Sequence, residues 1–177
     1  MTENKLQISK LQVTDFDKLL VYLNNLSLAT RSRFGPHLFN LAAIEQFYLP
    51  ENNNIAYIIK HNESQEIIAY SIIKRGYVLN DKKRLDEIGI QLHPQTDCTF
   101  APSVADDWQS QGLGKMMFDF LKIELQKQGF LRIILWGGVQ ATNEKAINYY
   151  LKYHFKKIGS FENKGIDNLD MIMDLSY

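Results

Sequence analysis

The stretch Gln109-Ser110-Gln111-Gly112-Leu113-Gly114-Lys115 lies between an apolar run, residues 98–104, and the row Leu113, Met117, Leu121, Leu125. The run reads as a strand, and the row, at i, i+4 spacing, as a helix over residues 113–128. Two glycines at a strand-to-helix junction let the backbone curl tightly and leave room for a ligand to approach. The first N–H groups of a helix have no internal partner, and the helix dipole adds partial positive charge there. Such a corner binds phosphate. Two other phosphate motifs can be tested on the same residues. A Walker A loop needs glycine where Gln109 stands and Ser or Thr where Met116 stands, and a dinucleotide fingerprint needs glycine where Met117 stands. Both fail.

Downstream, residues 131–139 form an almost unbroken apolar run, as expected of a strand buried on both faces. Residues 143–152 read as a helix, followed by strands near 156–163 and 169–175. Upstream, residues 6–13 read as an opening strand. Thr14 suits an N-cap for a helix carrying Phe16, Leu19, Leu20, Tyr22 and Leu23. Residues 27–34 continue as a short helix stopped by Gly35-Pro36, and Asn40 caps a further helix with Leu41, Ile44, Phe47 and Tyr48 on one stripe. Residues 55–61 and 66–74 make a hairpin around the polar link 62–65. Ile88, Ile90 and Leu92 alternate like a short strand ended by His93-Pro94. The order predicts an α/β fold with a mixed sheet, in one domain covering residues 1–177.

Composition narrows the function. Of the 177 residues, 45% are hydrophobic and 23% charged, ordinary for a globular domain with a core. Lysines plus arginines equal aspartates plus glutamates at 20 each, so no basic excess argues for nucleic acid. Cys98 is the sole cysteine, which excludes an intramolecular disulfide and a CxxC metal site. Met1-Thr2-Glu3-Asn4-Lys5 offers no apolar stretch for a signal peptide, and no uncharged apolar run of about 18 residues could span a membrane. A reducing cytoplasm is the expected compartment. Exposed strand edges would allow a homodimer.

The residues around the corner resemble a known family. Gln109-Ser110-Gln111-Gly112-Leu113-Gly114 fits the Gln/Arg-x-x-Gly-x-Gly/Ala motif of the GNAT superfamily of N-acetyltransferases. Val104-Ala105-Asp106-Asp107-Trp108-Gln109 resembles that family's Val, small, Pro, acidic, aromatic, Gln, with Asp106 in place of the common proline. The run from Asn143 through Ala146, Tyr150 and His154 to Phe155 resembles its Asn-x-x-Ala-x-x-x-Tyr-x-x-x-Gly-Phe, with His154 replacing glycine. The likeness is tight over residues 98–160 and looser before them.

The resemblance implies a mixed, mostly antiparallel sheet with flanking helices, and a splayed parallel strand pair that holds coenzyme A. It implies acetyl-CoA as co-substrate, no metal, and a small-molecule or protein amine as acceptor. The pyrophosphate would sit on the corner, implicating Gln109, Ser110, Gln111, Gly112, Leu113, Gly114 and Lys115. The pantetheine arm would pair with the strand edge at Phe100, Ser103 and Val104. Asn143 would contact that arm or position the helix after it.

Tyr150 is the expected catalytic group. An amine attacking a thioester expels a thiolate, and a phenol of pKa about 10 is matched to protonating a thiol of about 8.5. The alternative is that Tyr150 only packs with Tyr149 and Tyr153. The strand at residues 98–104 carries no acid, whereas many relatives place a glutamate there. Asp97, Glu87, His93 and His37 lie in segments able to approach the site, though each also reads as a surface or loop residue, and water can serve as the proton acceptor. Arg31, Arg33, Phe34 and His37 fall in the region that covers the acceptor site in such folds. A non-catalytic acyl-CoA-binding module is the competing reading, supported only by the missing strand acid.

Overall fold

A computed structural model describes residues 5–175. Met1–Asn4, part of the stretch searched for a leader, lie outside the described residues, as do Ser176 and Tyr177. The chain forms two compact units. One comprises the sequence through Ile73 together with Ala101–Leu121, the other Lys74–Phe100 together with the sequence from Lys122 onward.

In the first unit, β1 (Leu6–Lys10) pairs antiparallel with β2 (Asn54–His61) from Leu6↔His61 to Lys10↔Tyr57. β2 leads into β3 (Ile67–Arg75), and the turn between them closes with His61 N–H donating to Glu66 C=O at 3.0 Å. The neighbour order continues from β3 to β4 (Asp97–Val104). Between β1 and β2 lie α1 (Phe16–Asn25), α2 (Leu28–Arg31) and α3 (Leu41–Phe47). Asn40 caps α3 as expected, its Oδ1 accepting from Ala43 N–H at 2.9 Å. The first cap differs from expectation. The chain enters α1 through a short 3-10 turn, where the Asp15 carboxylate accepts from Gln12 N–H at 3.0 Å; Asp15, not Thr14, holds the N-cap position of α1, and its side chain makes no cap bond to that helix. On α5 (Leu113–Lys127), Leu113, Met117, Leu121 and Leu125 are all buried, as the i, i+4 row requires. No helix among the described residues is long and apolar enough to cross a membrane.

In the second unit, β4 and β5 (Arg132–Leu135) are parallel, in register from Asp97↔Arg132 to Phe100↔Leu135. β8 (Ile166–Asp174) pairs antiparallel with β5, with β6 (Val139–Gln140) and with β7 (Lys156–Asn163). The apolar run at 131–139 is therefore two strands. Gly137 and Gly138, at φ of +63° and +67°, turn the chain between them. Residues 79–87 form a helix, α4 (Leu79–Glu87), and the strand expected at Ile88–Leu92 is absent. Leu85 and Leu92 are buried with Ile134 and Ile172, and Ile90 packs beside them, so the apolar alternation fills a core from a loop.

α6 (Glu144–Lys152) ends where the family's glycine is replaced. His154 takes φ +66°, its N–H donates to Leu151 C=O at 3.0 Å, and Phe155 N–H donates to Tyr150 C=O at 3.0 Å. This is a Schellman cap with a non-glycine residue at its left-handed position, reinforced by the Tyr150–Phe155 ring contact at 5.3 Å. A left-handed residue with a Cβ costs about 1 kcal/mol relative to glycine. His154→Gly is accordingly expected to raise the melting temperature by about 2–4 °C in a thermal scan. No rise would mean the histidine side chain compensates the strain.

Candidate active site

The corner forms in the first unit as a left-handed turn running into a helix. Ser110 has φ +62° and Gly112 φ +86°, and the first i→i−4 bond of α5 is Met116 N–H to Gly112 C=O at 3.0 Å. The amides of the opening turn precede that bond. A Cβ built on Gly112 would meet nothing within 4 Å, so glycine is required there by backbone conformation and not by crowding. Gln109 Nε2 donates to Val104 C=O at 3.3 Å and Gln111 Nε2 to Asp107 C=O at 2.7 Å, fastening both ends of the turn. Lys115 is exposed and pairs with Asp119 one turn along the helix.

Asp106, the residue replacing proline, binds residues far from it in the chain. Its carboxylate accepts from Ser27 N–H at 2.8 Å, Ser27 Oγ at 2.7 Å and Thr30 Oγ1 at 2.6 Å. It thus ties the start of α2 to the loop that precedes the corner. Desolvation opposes its ionisation, but these bonds prevail and hold its pKa below the usual carboxylate value.

Ser103 on β4 is buried. Its Oγ donates to Tyr70 C=O at 3.4 Å, so the Tyr22 hydroxyl, 2.8 Å away, donates to it. The Tyr70 hydroxyl bonds that of Tyr48 and lies 3.3 Å from His37 Nε2. His37 Nδ1 lies 2.9 Å from Leu38 C=O, which fixes Nδ1 as the donor and leaves Nε2 to accept from Tyr70. Burial pushes the Tyr22, Tyr48 and Tyr70 phenols up and lowers His37, so the network is neutral. Lowering a histidine's pKa disfavours its charged form in the folded state, so stability is lost as pH falls through the ordinary histidine range. His37→Gln should flatten the fall of melting temperature between about pH 7 and pH 5. An identical fall in both proteins would mean His37 does not carry it.

A cavity of about 440 Å³ opens beside these residues in the first unit. Tyr22, Leu26 and Ile68 line it, with Trp108, and its charged residues are Lys18, Glu66, Asp106 and Asp107. Three carboxylates against one ammonium favour a cation over an anion there. Arg31 commits two of its donors to backbone carbonyls. It donates through Nε to Leu26 C=O at 2.8 Å and through Nη2 to Asn24 C=O, closing the end of α1. Phe34 is buried against the Tyr70 ring.

In the second unit, Tyr150 is buried on α6, its ring 5.3 Å from that of Tyr149 and 5.3 Å from that of Phe155. Desolvation alone raises its pKa, so the phenol stays protonated at any working pH. Asn143 caps α6, Oδ1 accepting from Ala146 N–H at 3.3 Å. Phe100 C=O accepts from Trp136 N–H at 2.9 Å at the end of the β4–β5 ladder. Asp97 cannot act as a base, because Arg132 grips both its oxygens at 3.1 and 2.6 Å and His93 N–H donates to it at 2.7 Å. Glu87 and His93 are exposed. Cys98 is buried, and desolvation raises its thiol well above the usual range, which makes it unreactive.

Ser103, Val104 and residues 109–115 thus belong to one unit, and Phe100, Asn143 and Tyr150 to the other. The Tyr22–Ser103 pair joins residues 81 apart in the chain, and no local pattern could have announced it. Among the described residues, no group of three or more His, Cys, Asp or Glu side chains is arranged to hold a metal.

Comparison with known proteins agrees with this architecture. The profile of the acetyltransferase (GNAT) family matches residues 22–155. The chain belongs to the acetyltransferase (GNAT) family, and with that membership it is an acyltransferase. A search of curated proteins returns no match to the sequence. Solved structures of the same fold include the GNAT-family acetyltransferase of Streptococcus pneumoniae, at TM-score 0.73 and 20% identity over 97% of this chain and 100% of that one. The spermidine N-acetyltransferase of Vibrio cholerae, solved with CoA and spermine, aligns at TM-score 0.71 and 15% identity over 98% and 97% of the two chains. The ribosomal-protein-S18-alanine N-acetyltransferase of Escherichia coli aligns at 0.67 and 21%, over 97% and 95%. At these identities the likeness speaks for the fold alone.

Proposed function

We propose that this chain is a cytoplasmic N-acetyltransferase that moves an acetyl group from acetyl-CoA to a primary amine by direct attack in a ternary complex, residues 1–177 acting as one domain. The observation that carries the reading is the left-handed turn at Ser110 and Gly112 leading into α5, inside the family match. In this reading the backbone amides of residues 111–115 hold the pyrophosphate of CoA. Gln109 and Ser110 shape that turn, and Ser103 and Val104, beyond the point where Trp136 N–H takes up the Phe100 C=O, supply backbone to the pantetheine amides. Ser103 does so only through its main chain, since its hydroxyl is engaged by Tyr22 and Tyr70. Asn143 sets the start of the helix that carries Tyr150.

The amine nitrogen attacks the thioester carbonyl, the C–S bond breaks, and the sulfur leaves as a thiolate. The Tyr150 hydroxyl donates a hydrogen bond to that sulfur as negative charge collects there; burial raises its pKa above the match with a thiol, so it stabilises the thiolate by donation more than by full proton transfer. Water takes the proton lost by the amine, because residues 98–104 hold no carboxylate and Asp97 is committed to Arg132. Burial keeps Tyr150 protonated, so its ionisation imposes no limb on the pH–rate profile below about pH 10. One observation supports a small cationic amine as acceptor: the three carboxylates around the cavity of the first unit.

A calorimetric titration tests the donor assignment. CoA is expected to bind with ATP and NAD failing to compete, whereas displacement by ATP or NAD would make the corner a general nucleotide site.

A further inference from the structure

Resting on the donor site proposed above, we propose that Asp81 is a positioning residue, which fixes the backbone where β5 leaves β4 and thereby sets the affinity for the CoA arm. The parallel ladder ends at Phe100↔Leu135, followed by Trp136 N–H to Phe100 C=O at 2.9 Å. The next amide, Gly137 N–H, leaves the ladder and donates to Asp81 Oδ2 at 3.1 Å. Gly137 and the following Gly138 are both left-handed, and the chain turns off toward β6.

The carboxylate that receives Gly137 is itself rigidly held. Asp81 is 2% exposed, and its Oδ1 accepts from Arg84 Nη2 at 2.9 Å. Arg84 also grips Asp170 on β8 through two bonds of 2.7 Å, and its guanidinium lies 3.6 Å from the centre of the Phe161 ring on β7. The turn has no slack on its other side. A Cβ on Gly138 would come within 2.6 Å of Leu169 O and 3.0 Å of the Phe161 ring. Helix α4 therefore supplies, through one buried carboxylate, the acceptor for the first amide beyond the paired strands. If that amide were released, the end of β5 could shift against Phe100, the last paired residue before the stretch of β4 that the pantetheine arm needs.

Hydrogen exchange and CoA titration on the full chain test this. In wild type, the Gly137 amide should exchange as slowly as those of β5; exchange at the rate of an exposed loop overturns the proposal without any variant. Asp81→Ala should speed exchange at Gly137 about tenfold and raise the CoA Kd about tenfold, the scale of one hydrogen bond to a charged group. Its kcat at saturating acetyl-CoA should stay within about twofold. Asp81→Asn keeps an oxygen able to accept from Gly137 and should restore most of the protection and affinity. Asp170→Asn, which loosens Arg84 without touching Gly137, should lower the melting temperature and leave Gly137 protected. Unchanged exchange in Asp81→Ala, or an asparagine variant as defective as alanine, would overturn the proposal. If wild type binds no CoA, the donor reading fails, while the exchange data still decide whether Asp81 holds the turn.

Discussion

Tyr150→Phe is expected to lower kcat about 100-fold while leaving the Kd for acetyl-CoA within about twofold of wild type. A positioned general acid contributes at least about that factor. The substitution removes one oxygen from a ring packed on Tyr149 and Phe155 and leaves the ring in place. The melting temperature should therefore barely move. Pre-steady-state turnover with acetyl-CoA and a reactive amine separates the roles. A fall in kcat alone supports the acid, whereas an equal loss of kcat and donor affinity would assign Tyr150 to packing.

Gly112→Val is expected to weaken CoA binding at least 100-fold without unfolding the chain. At φ +86° a β-branched residue is strained by about 1–3 kcal/mol, which a domain of this size can absorb in part by reshaping the turn. Reshaping moves the amides that would cradle the pyrophosphate. Because a Cβ meets nothing within 4 Å, the loss would come from backbone geometry and not from a buried clash. Circular dichroism checks the fold and calorimetry the affinity. Unchanged affinity in a folded variant would remove the corner from the donor site.

Much of this was legible because the signals were local. The α5 row, the Asn40 cap and the Gly112 turn are each written within a few residues, and the structure has all three. Features held by distant partners were not legible. α4 is polar apart from Leu79 and Leu85, and only Asp81 and Leu85 are buried along it, so no apolar stripe marked it. Ile90 and Leu92 mimicked a strand because both turn toward Leu85, Ile134 and Ile172 from a loop. Asp106 read as a substitute for the family's proline, yet its partners Ser27 and Thr30 lie 79 and 76 residues away. The Tyr22–Ser103 and Tyr48–Tyr70–His37 contacts likewise depend on how the elements fold together.

The central claim is transfer of acetyl from CoA to an amine, and release of free CoA thiol measures it most directly. With acetyl-CoA and a panel spanning polyamines, amino sugars, amino acids and peptides with free amino termini, at least one amine should accelerate thiol release well above the hydrolytic rate. Tyr150→Phe should abolish most of that acceleration. If CoA binds but no amine, however reactive, speeds thiol release, the chain is a CoA-binding module and the enzymatic account is wrong.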